Sequence, residues 1–255
     1  MKLSVVMSVR NEEDCITQTL ERLTNVLSVN TIDFEIVVVD DGSTDATPNR
    51  LRDFSAHHQG VVLVTNLGRH GFGMAIRCGL AHITGDAVVI VMADGSDRPE
   101  DVLQYYHKLL EGYDCVFGSR FIQGASVVDY PRHKLLLNRT ANVFISLLFG
   151  LKFNDITNAF KCYRREVIAG IEPLIAPHFN LTVEMPLKAV VRGYSFAVVP
   201  ITWTNRAAGT SKLKIKELGS RYLFIVLYLW LEKHLSRGDY HRKVVAHAEV
   251  TKTTA

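Results

Sequence analysis

Four short runs constrain this chain more than anything else in it: LSVVMSV at 3–9, FEIVVVD at 34–40, VVLVT at 61–65 and DAVVIVM at 86–92. Each is apolar and rich in β-branched residues at successive positions, the pattern of a parallel strand covered on both faces. Amphipathic stretches separate them, at roughly 12–29, 45–58 and 70–83, and the spacing is that of consecutive βα units. Two more strands are expected at DCVFG, 114–118, and FAVVP, 196–200. The pattern predicts an α/β fold with a mixed, mainly parallel sheet and helices on both faces. In such sheets ligands bind beyond the carboxyl ends of the strands, so chemistry is sought there.

The 255 residues suit one such domain with a terminal extension. Hydrophobic residues make up 47% and charged residues 22%, an ordinary globular balance that excludes a disordered chain. A net charge of +3 gives no reason to expect a nucleic-acid partner. The four cysteines form no CxxC pair, which removes a zinc-ribbon reading and suits reduced thiols in the cytoplasm. The opening MKLSVVMSV lacks the long apolar region and small-residue cleavage site of a signal peptide.

Composition changes near residue 206. Residues 206–243 carry nine Lys or Arg and three acids, around an apolar run YLFIVLYLWL at 222–231. Residues 1–205 are therefore read as the main α/β domain and 206–255 as a basic loop, an amphipathic or apolar helix and a tail. The run covers about 15 Å as a helix, against about 30 Å for a bilayer core. It is too short to span a membrane. It suits a membrane interface, a docking site for a membrane protein or a second copy, or burial on the domain.

At the expected strand ends, Asp40 and Asp41 open the turn Asp40-Asp41-Gly42-Ser43-Thr44-Asp45. Ser43 or Thr44 can cap the next helix and Asp45 favours its positive end, which leaves the first two carboxylates to accept from a nucleobase or ribose. Asp94 ends the fourth apolar run, a place for a metal or phosphate ligand, and Asp97 is expected to cap the helix that follows. No GxGxxG follows the first strand, which argues against a dinucleotide oxidoreductase. Gly68, Gly71 and Gly73 read as a turn entering a helix. Arg120 follows the fifth strand, and its donor fork suits a diphosphate. Arg206 and Lys212, with Gly209 between them, suit a basic loop that closes over phosphate.

At these residues the chain resembles the family 2 glycosyltransferases of the GT-A fold, and among them the dolichol- or polyprenol-phosphate sugar transferases. The markers are VRNEE (9–13), IVVVDDGSTDAT (36–47), MADGSDRPED (92–101), FGSRF (117–121), TNAFKCYRREVI (157–168) and NRAAGTSKL (205–213). The resemblance covers about residues 3–215. It implies a Rossmann-like GT-A domain and an inverting transfer of a hexose from a UDP- or GDP-sugar to a polyprenyl phosphate. Asn11, Glu12, Asp40 and Asp41, with Ser43 on the same turn, would bind the nucleotide. Asp94, helped by Ser96, would hold Mg²⁺ or Mn²⁺. Arg120, Arg206 and Lys212 would hold donor and acceptor phosphates, and Arg132, Lys134 and Arg139 the acceptor phosphate. The enzyme would sit on the cytoplasmic membrane face.

Two departures mark this chain. Met92 stands where the family's acidic motif has its first aspartate, and Ser8 where relatives often have proline. Met92 keeps open a donor-binding subunit without catalysis. A glycan hydroxyl acceptor is the other alternative, and it would require a general base. Glu184 is the carboxylate to examine for that role.

Overall fold

Alternation of strand and helix begins at the third residue. The computed structural model describes residues 1–205 and 215–242. In chain order it has β1 (Leu3–Val9), α1 (Ile16–Val29), β2 (Phe34–Asp40), α2 (Thr47–His57), β3 (Val61–Thr65), α3 (Phe72–Leu80) and β4 (Ala87–Ile90). Then follow α4 (Asp101–Leu110), β5 (Cys115–Ser119), β6 (Ser126–Val128), α5 (Arg132–Phe149), β7 (Lys161–Arg164) and α6 (Arg165–Gly170). The last elements are α7 (Leu181–Val191), β8 (Phe196–Pro200), β9 (Thr202–Thr204) and α8 (Ile215–Leu235).

Seven strands form one sheet in the order β3-β2-β1-β4-β7-β5-β8. All neighbours are parallel except β7, which runs antiparallel between β4 and β5. Because side chains alternate across a strand, the apolar runs feed two cores. Val6, Val37, Val39, Val88 and Ile90 face α3, α5, α7 and α8. Leu3, Val5, Met7, Ile36, Val38 and Val89 face α1, α2 and α4. Each such side chain contributes about 1.5–3 kcal/mol by leaving water, and the buried acid within these runs, Glu35, is compensated by bonds from Ser4, Lys2 and Thr84.

The sequence missed β7. KCYR is short and carries charges at both ends, yet Lys161 is buried and donates to the carbonyls of Ile156, Asn158 and Thr182. β4 is shorter than expected. Val91 N–H still donates to Val6 O, but Met92 N–H turns to the Asp97 carboxylate at 2.9 Å and the ladder ends.

The apolar run 222–231 lies within α8. Ile225, Val226 and Leu229 pack into the core, while Leu223, Phe224, Leu227 and Leu231 stay exposed. Among the described residues no helix is long and apolar enough to cross a membrane.

Gly71 and Gly73 form a turn into α3, as the sequence suggests. Gly71 has φ +143°, and a side chain at Gly73 would meet the backbone of Ala176 and Pro177. Gly73→Ala is therefore expected to cost about 1–3 kcal/mol through overpacking against backbone that cannot rotate away. Chemical denaturation would measure it.

Candidate active site

β2, β1 and β4 lie side by side and run in one direction, so the segments after them emerge at one edge of the sheet. These segments hold most of the residues singled out above, and hydrogen bonds stitch them together. Asn11 has φ +51°, a conformation asparagine tolerates better than most residues. Its N–H donates to Ser43 Oγ at 3.0 Å, and its Oδ1 accepts from Thr44 N–H at 2.7 Å. Glu12 N–H donates to Thr47 Oγ1 at 2.9 Å. Cys15 Sγ lies 3.5 Å from Glu12 Oε2 and 3.6 Å from Ala93 O, which ties the first loop to the residue before Asp94.

The two adjacent aspartates part ways. Asp40 is half-buried, and its Oδ1 accepts from Ser43 N–H at 3.0 Å. Asp41 does not open onto a nucleoside. It is buried, with Oδ1 accepting from Asn66 Nδ2 at 2.6 Å and Oδ2 from Gly71 N–H at 2.8 Å. His70 Nδ1 lies 3.2 Å from the same carboxylate. Asp41 thus holds the loop between β3 and α3 against the edge where Asp40 is presented. Neither Ser43 nor Thr44 caps α2. Asp45 does the local work by accepting from Thr47 N–H at 3.0 Å; burial opposes its ionisation, but hydrogen bonds from Thr47 and from Glu13 N–H outweigh it and hold the carboxyl below the usual range.

Asp94 is half-buried, and its Oδ1 accepts from Ser96 N–H at 3.1 Å across Gly95, at φ +69°. Ser96 is buried, and its carbonyl accepts from Thr204 N–H of β9 at 3.0 Å. Asp97 is not a helix cap. α4 begins at Asp101, while Asp97 turns inward to accept the Met92 N–H. Burial pushes its carboxyl up to about 7, reinforced by the charge of Asp94 and opposed by the Met92 N–H and Arg120.

Asp94, half-buried just beyond the end of β4, is the carboxylate the acidic turn offers to a divalent ion. Among the described residues no three His, Cys, Asp or Glu side chains cluster to hold a metal, and a methionine thioether is a poor ligand for a hard cation. Asp94 fits an ion shared with substrate phosphates and water, which is how Mg²⁺ is commonly held. It does not fit an ion caged by protein alone.

Arg120 does not reach toward a diphosphate as the sequence suggests, because Asp155 holds it. Its Nε and one Nη bind Asp155 at 2.8 and 2.7 Å, and its N–H donates to the same carboxylate at 2.9 Å. Both side chains are buried. The guanidinium lies 5.3 to 5.8 Å from the rings of Phe121, Tyr130 and Trp203. It braces this wall from within rather than reaching outward. Tyr130 and Trp203 are in contact at 4.9 Å between centroids, and Trp203 bridges to Asp97. Through them the Asp94 turn connects to the start of α5, which carries Arg132 and Lys134 in its first turn. Arg139, two turns further along α5 from Arg132, lies over Phe121 at 4.5 Å.

Glu184 is fully buried. It pairs with Lys188 at 2.7 Å and accepts the N–H groups of Ile175 and Ala176 at 2.8 and 2.7 Å. It organises the 175–176 backbone and has no path to a substrate proton. Arg206 and Lys212 lie outside the described residues. Reading the sequence missed Asn66, His70, Tyr130, Asp155 and Trp203. Asn66 alone had a signal, its place at the end of an apolar run.

Two outcomes follow. Asp155→Leu leaves a buried guanidinium unpaired and is expected to cost about 3–5 kcal/mol, read by thermal or chemical denaturation. Asp97 contributes a pH dependence of definite sign. Its folded pKa lies above the unfolded value, so the folded state binds more protons between about pH 4 and 7, and this contribution to stability falls as pH rises through that window. Asp97→Asn should flatten that limb of the stability curve.

Known proteins share both sequence and fold with this chain. The Glycosyl transferase family 2 profile matches residues 4–171. The polyprenol monophosphomannose synthase of Mycolicibacterium smegmatis is 33% identical over 184 residues, 70% of this chain and 69% of the relative. The dolichol-phosphate mannosyltransferase of Pyrococcus furiosus is 31% identical over 222 residues, 86% of this chain, which spans 61% of that relative's length. Glucosyl-3-phosphoglycerate synthase from Mycobacterium tuberculosis, crystallised with Mn²⁺ and UDP-glucose, matches with a TM-score of 0.68 at 21% identity. That match covers 91% of this chain and 78% of the other, and it establishes the shared GT-A fold.

Proposed function

Because the chain belongs to glycosyl transferase family 2, we propose that it moves a hexose from a nucleoside diphosphate sugar to a polyprenyl phosphate at a membrane surface, with inversion at the anomeric carbon. The observation that carries this reading is the convergence of Asn11, Glu12, Asp40 and Asp94 at the stitched ends of β1, β2 and β4. The names of the two sequence relatives support a polyprenyl-type phosphate acceptor. The Mn²⁺ and UDP-glucose bound by the mycobacterial synthase support a nucleotide sugar and a divalent ion.

In this reading Asn11, Glu12, Asp40 and Ser43 bind the nucleoside. Asp41 acts through the 66–71 loop and does not touch the donor. Asp94 would hold the ion together with the donor diphosphate, with Ser96 shaping its turn. When bound, such an ion neutralises negative charge on the departing diphosphate. An acceptor phosphate oxygen forms the new bond to the anomeric carbon, and the bond to the donor diphosphate breaks with its electron pair leaving on the nucleotide.

The amino end of α5 suits the acceptor phosphate. Its first turn has no acid and carries Arg132 and Lys134, so side-chain charge adds to the positive end of the helix. Arg139 extends the same cluster, and Arg206 and Lys212 are assigned to closing over the phosphates. A phosphate monoester is largely ionised near neutral pH, its second pKa being about 6, and needs no general base. The confinement of Glu184 favours that acceptor over a sugar hydroxyl.

The test uses purified protein, labelled UDP- and GDP-sugars, Mg²⁺ or Mn²⁺, and a polyprenyl phosphate. Label should enter the organic phase with one donor, and Asp94→Asn should lower that rate by about a hundredfold or more, the scale of losing transition-state charge stabilisation. Label appearing only in a water-soluble glycan would overturn the lipid acceptor, and retention at the anomeric carbon would overturn direct displacement. Glu184→Gln should reduce stability while leaving kcat of the folded enzyme near the wild-type value.

A further inference from the structure

β7 runs antiparallel to both its neighbours, so its first residue lies toward their carboxyl ends, the edge that holds the site. That residue is Lys161, opposite Ile90 of β4 and Phe117 of β5. It is 1% exposed. Its Nζ donates to three backbone carbonyls, Ile156 O at 2.9 Å, Asn158 O, and Thr182 O at 3.3 Å. All three donors of an ammonium are thereby used.

The carbonyls belong to two bodies. Ile156 and Asn158 lie in the 154–158 loop between α5 and β7, and Thr182 lies in the first turn of α7, a helix whose side chains are almost all buried. The loop is bonded along its length to the other side of the site. Asn154 Oδ1 accepts from Ser119 Oγ at 2.7 Å, and Asp155 holds Arg120. Thr157 Oγ1 accepts from Asn138 and Asn142 of α5 at 2.8 and 3.0 Å, and Asn158 Nδ2 donates to Gly118 O at 3.1 Å. The loop thus carries the wall of Arg120, Tyr130 and Trp203 and one face of α5, and Lys161 fastens it to α7. A void of about 10 Å³ adjoins Lys161, lined also by Phe72, Ile90, Leu181 and Met185. It is apolar and has room for about one water at most, so solvent cannot take over a bond that the amine gives up.

We infer that Lys161 is a positioning residue for the acceptor phosphate, its ammonium clamping the 154–158 loop to α7 and so setting the wall and the helix to which that phosphate is assigned. The acceptor part rests on the function proposed above; the clamp does not. A neutral amine has two donors where an ammonium has three, so loss of the proton breaks one of the three bonds. Burial lowers the Lys161 pKa to about 7, with Asp155 and Asp97 opposing the shift and Arg120 adding to it. The residues that α3 and α7 present at the void carry no charge, and the buried phenols of Tyr105 and Tyr163 are pushed well above their usual range. The clamp is closed below neutral pH and loosened above it.

Steady-state kinetics with a water-soluble short-chain prenyl phosphate test this between about pH 6.5 and 8.5. The acceptor KM should rise about tenfold across that range while the donor KM stays level. Ionisation of the acceptor itself, with a second pKa of about 6, works in the opposite direction. Lys161→Met should show the raised acceptor KM at every pH, and Lys161→Arg, which stays charged, the low one. Asp97→Asn should keep the rise, which separates Lys161 from the other group that titrates near pH 7. Emission of Trp203 in an Asp97→Asn, Trp230→Phe background reads the wall without substrate. It should shift through the same range and lose that shift when Lys161→Met is added. If Lys161→Met does not fold, Lys161→Arg and Asp97→Asn still decide the matter. An acceptor KM and a Trp203 emission that both ignore pH would overturn the inference. So would a rise abolished by Asp97→Asn, or a wild-type profile in a folded Lys161→Met. Absence of transfer to the prenyl phosphate at any pH would remove the acceptor reading, and the Trp203 shift would then establish the clamp alone.

Discussion

β1 is hydrogen-bonded along both edges, to β2 and β4, and all three strands point the same way. With both faces covered by helices, these strands are mostly apolar along their length, and the buried Glu35 of β2 is held there by Ser4, Lys2 and Thr84. Most chain polarity returns where the strands end, and because they end together it returns in one place. The Asn11, Ser43 and Thr44 bonds and the Cys15 contact to Ala93 are then short links between loops that the sheet has already brought alongside.

A second layer of order comes from charges turned inward. Arg120 with Asp155, Lys188 with Glu184 and Arg192 with Glu232 are three buried pairs. Each joins or steadies an element near the candidate site or α8. Arg120 and Asp155 set the aromatic wall of Tyr130 and Trp203. Glu184 fixes the backbone against which Gly73 packs. Glu232 anchors α8 to the end of α7. A buried pair contributes little net stability against an apolar alternative, so their value lies in fixing positions.

Much of this was legible beforehand. The apolar β-branched runs announced β1, β2 and β3 because a doubly covered strand leaves a continuous signature. Asp40 and Asp94 stand at or just beyond strand ends, as the runs before them indicated. What could not be read was pairing. Asp41 and Arg120 looked like ligands because they are charged and follow strands, but their fates depend on Asn66 and Asp155, about 25 to 35 residues away in sequence. β7 was hidden by its two charges, whose partners are backbone carbonyls that no residue pattern reveals.

The proposed function places a nucleoside diphosphate and its ion at the ends of β1, β2 and β4, with Asp94 as the carboxylate ligand. Crystals grown with Mn²⁺ and a nucleoside diphosphate would test it through the anomalous signal of the metal. One peak is expected beside Asp94, shared with diphosphate oxygens and otherwise hydrated, with the nucleoside against Asn11 and Asp40. A peak held by Asp97 or Asp41, or a nucleotide bound at another edge of the sheet, would contradict it.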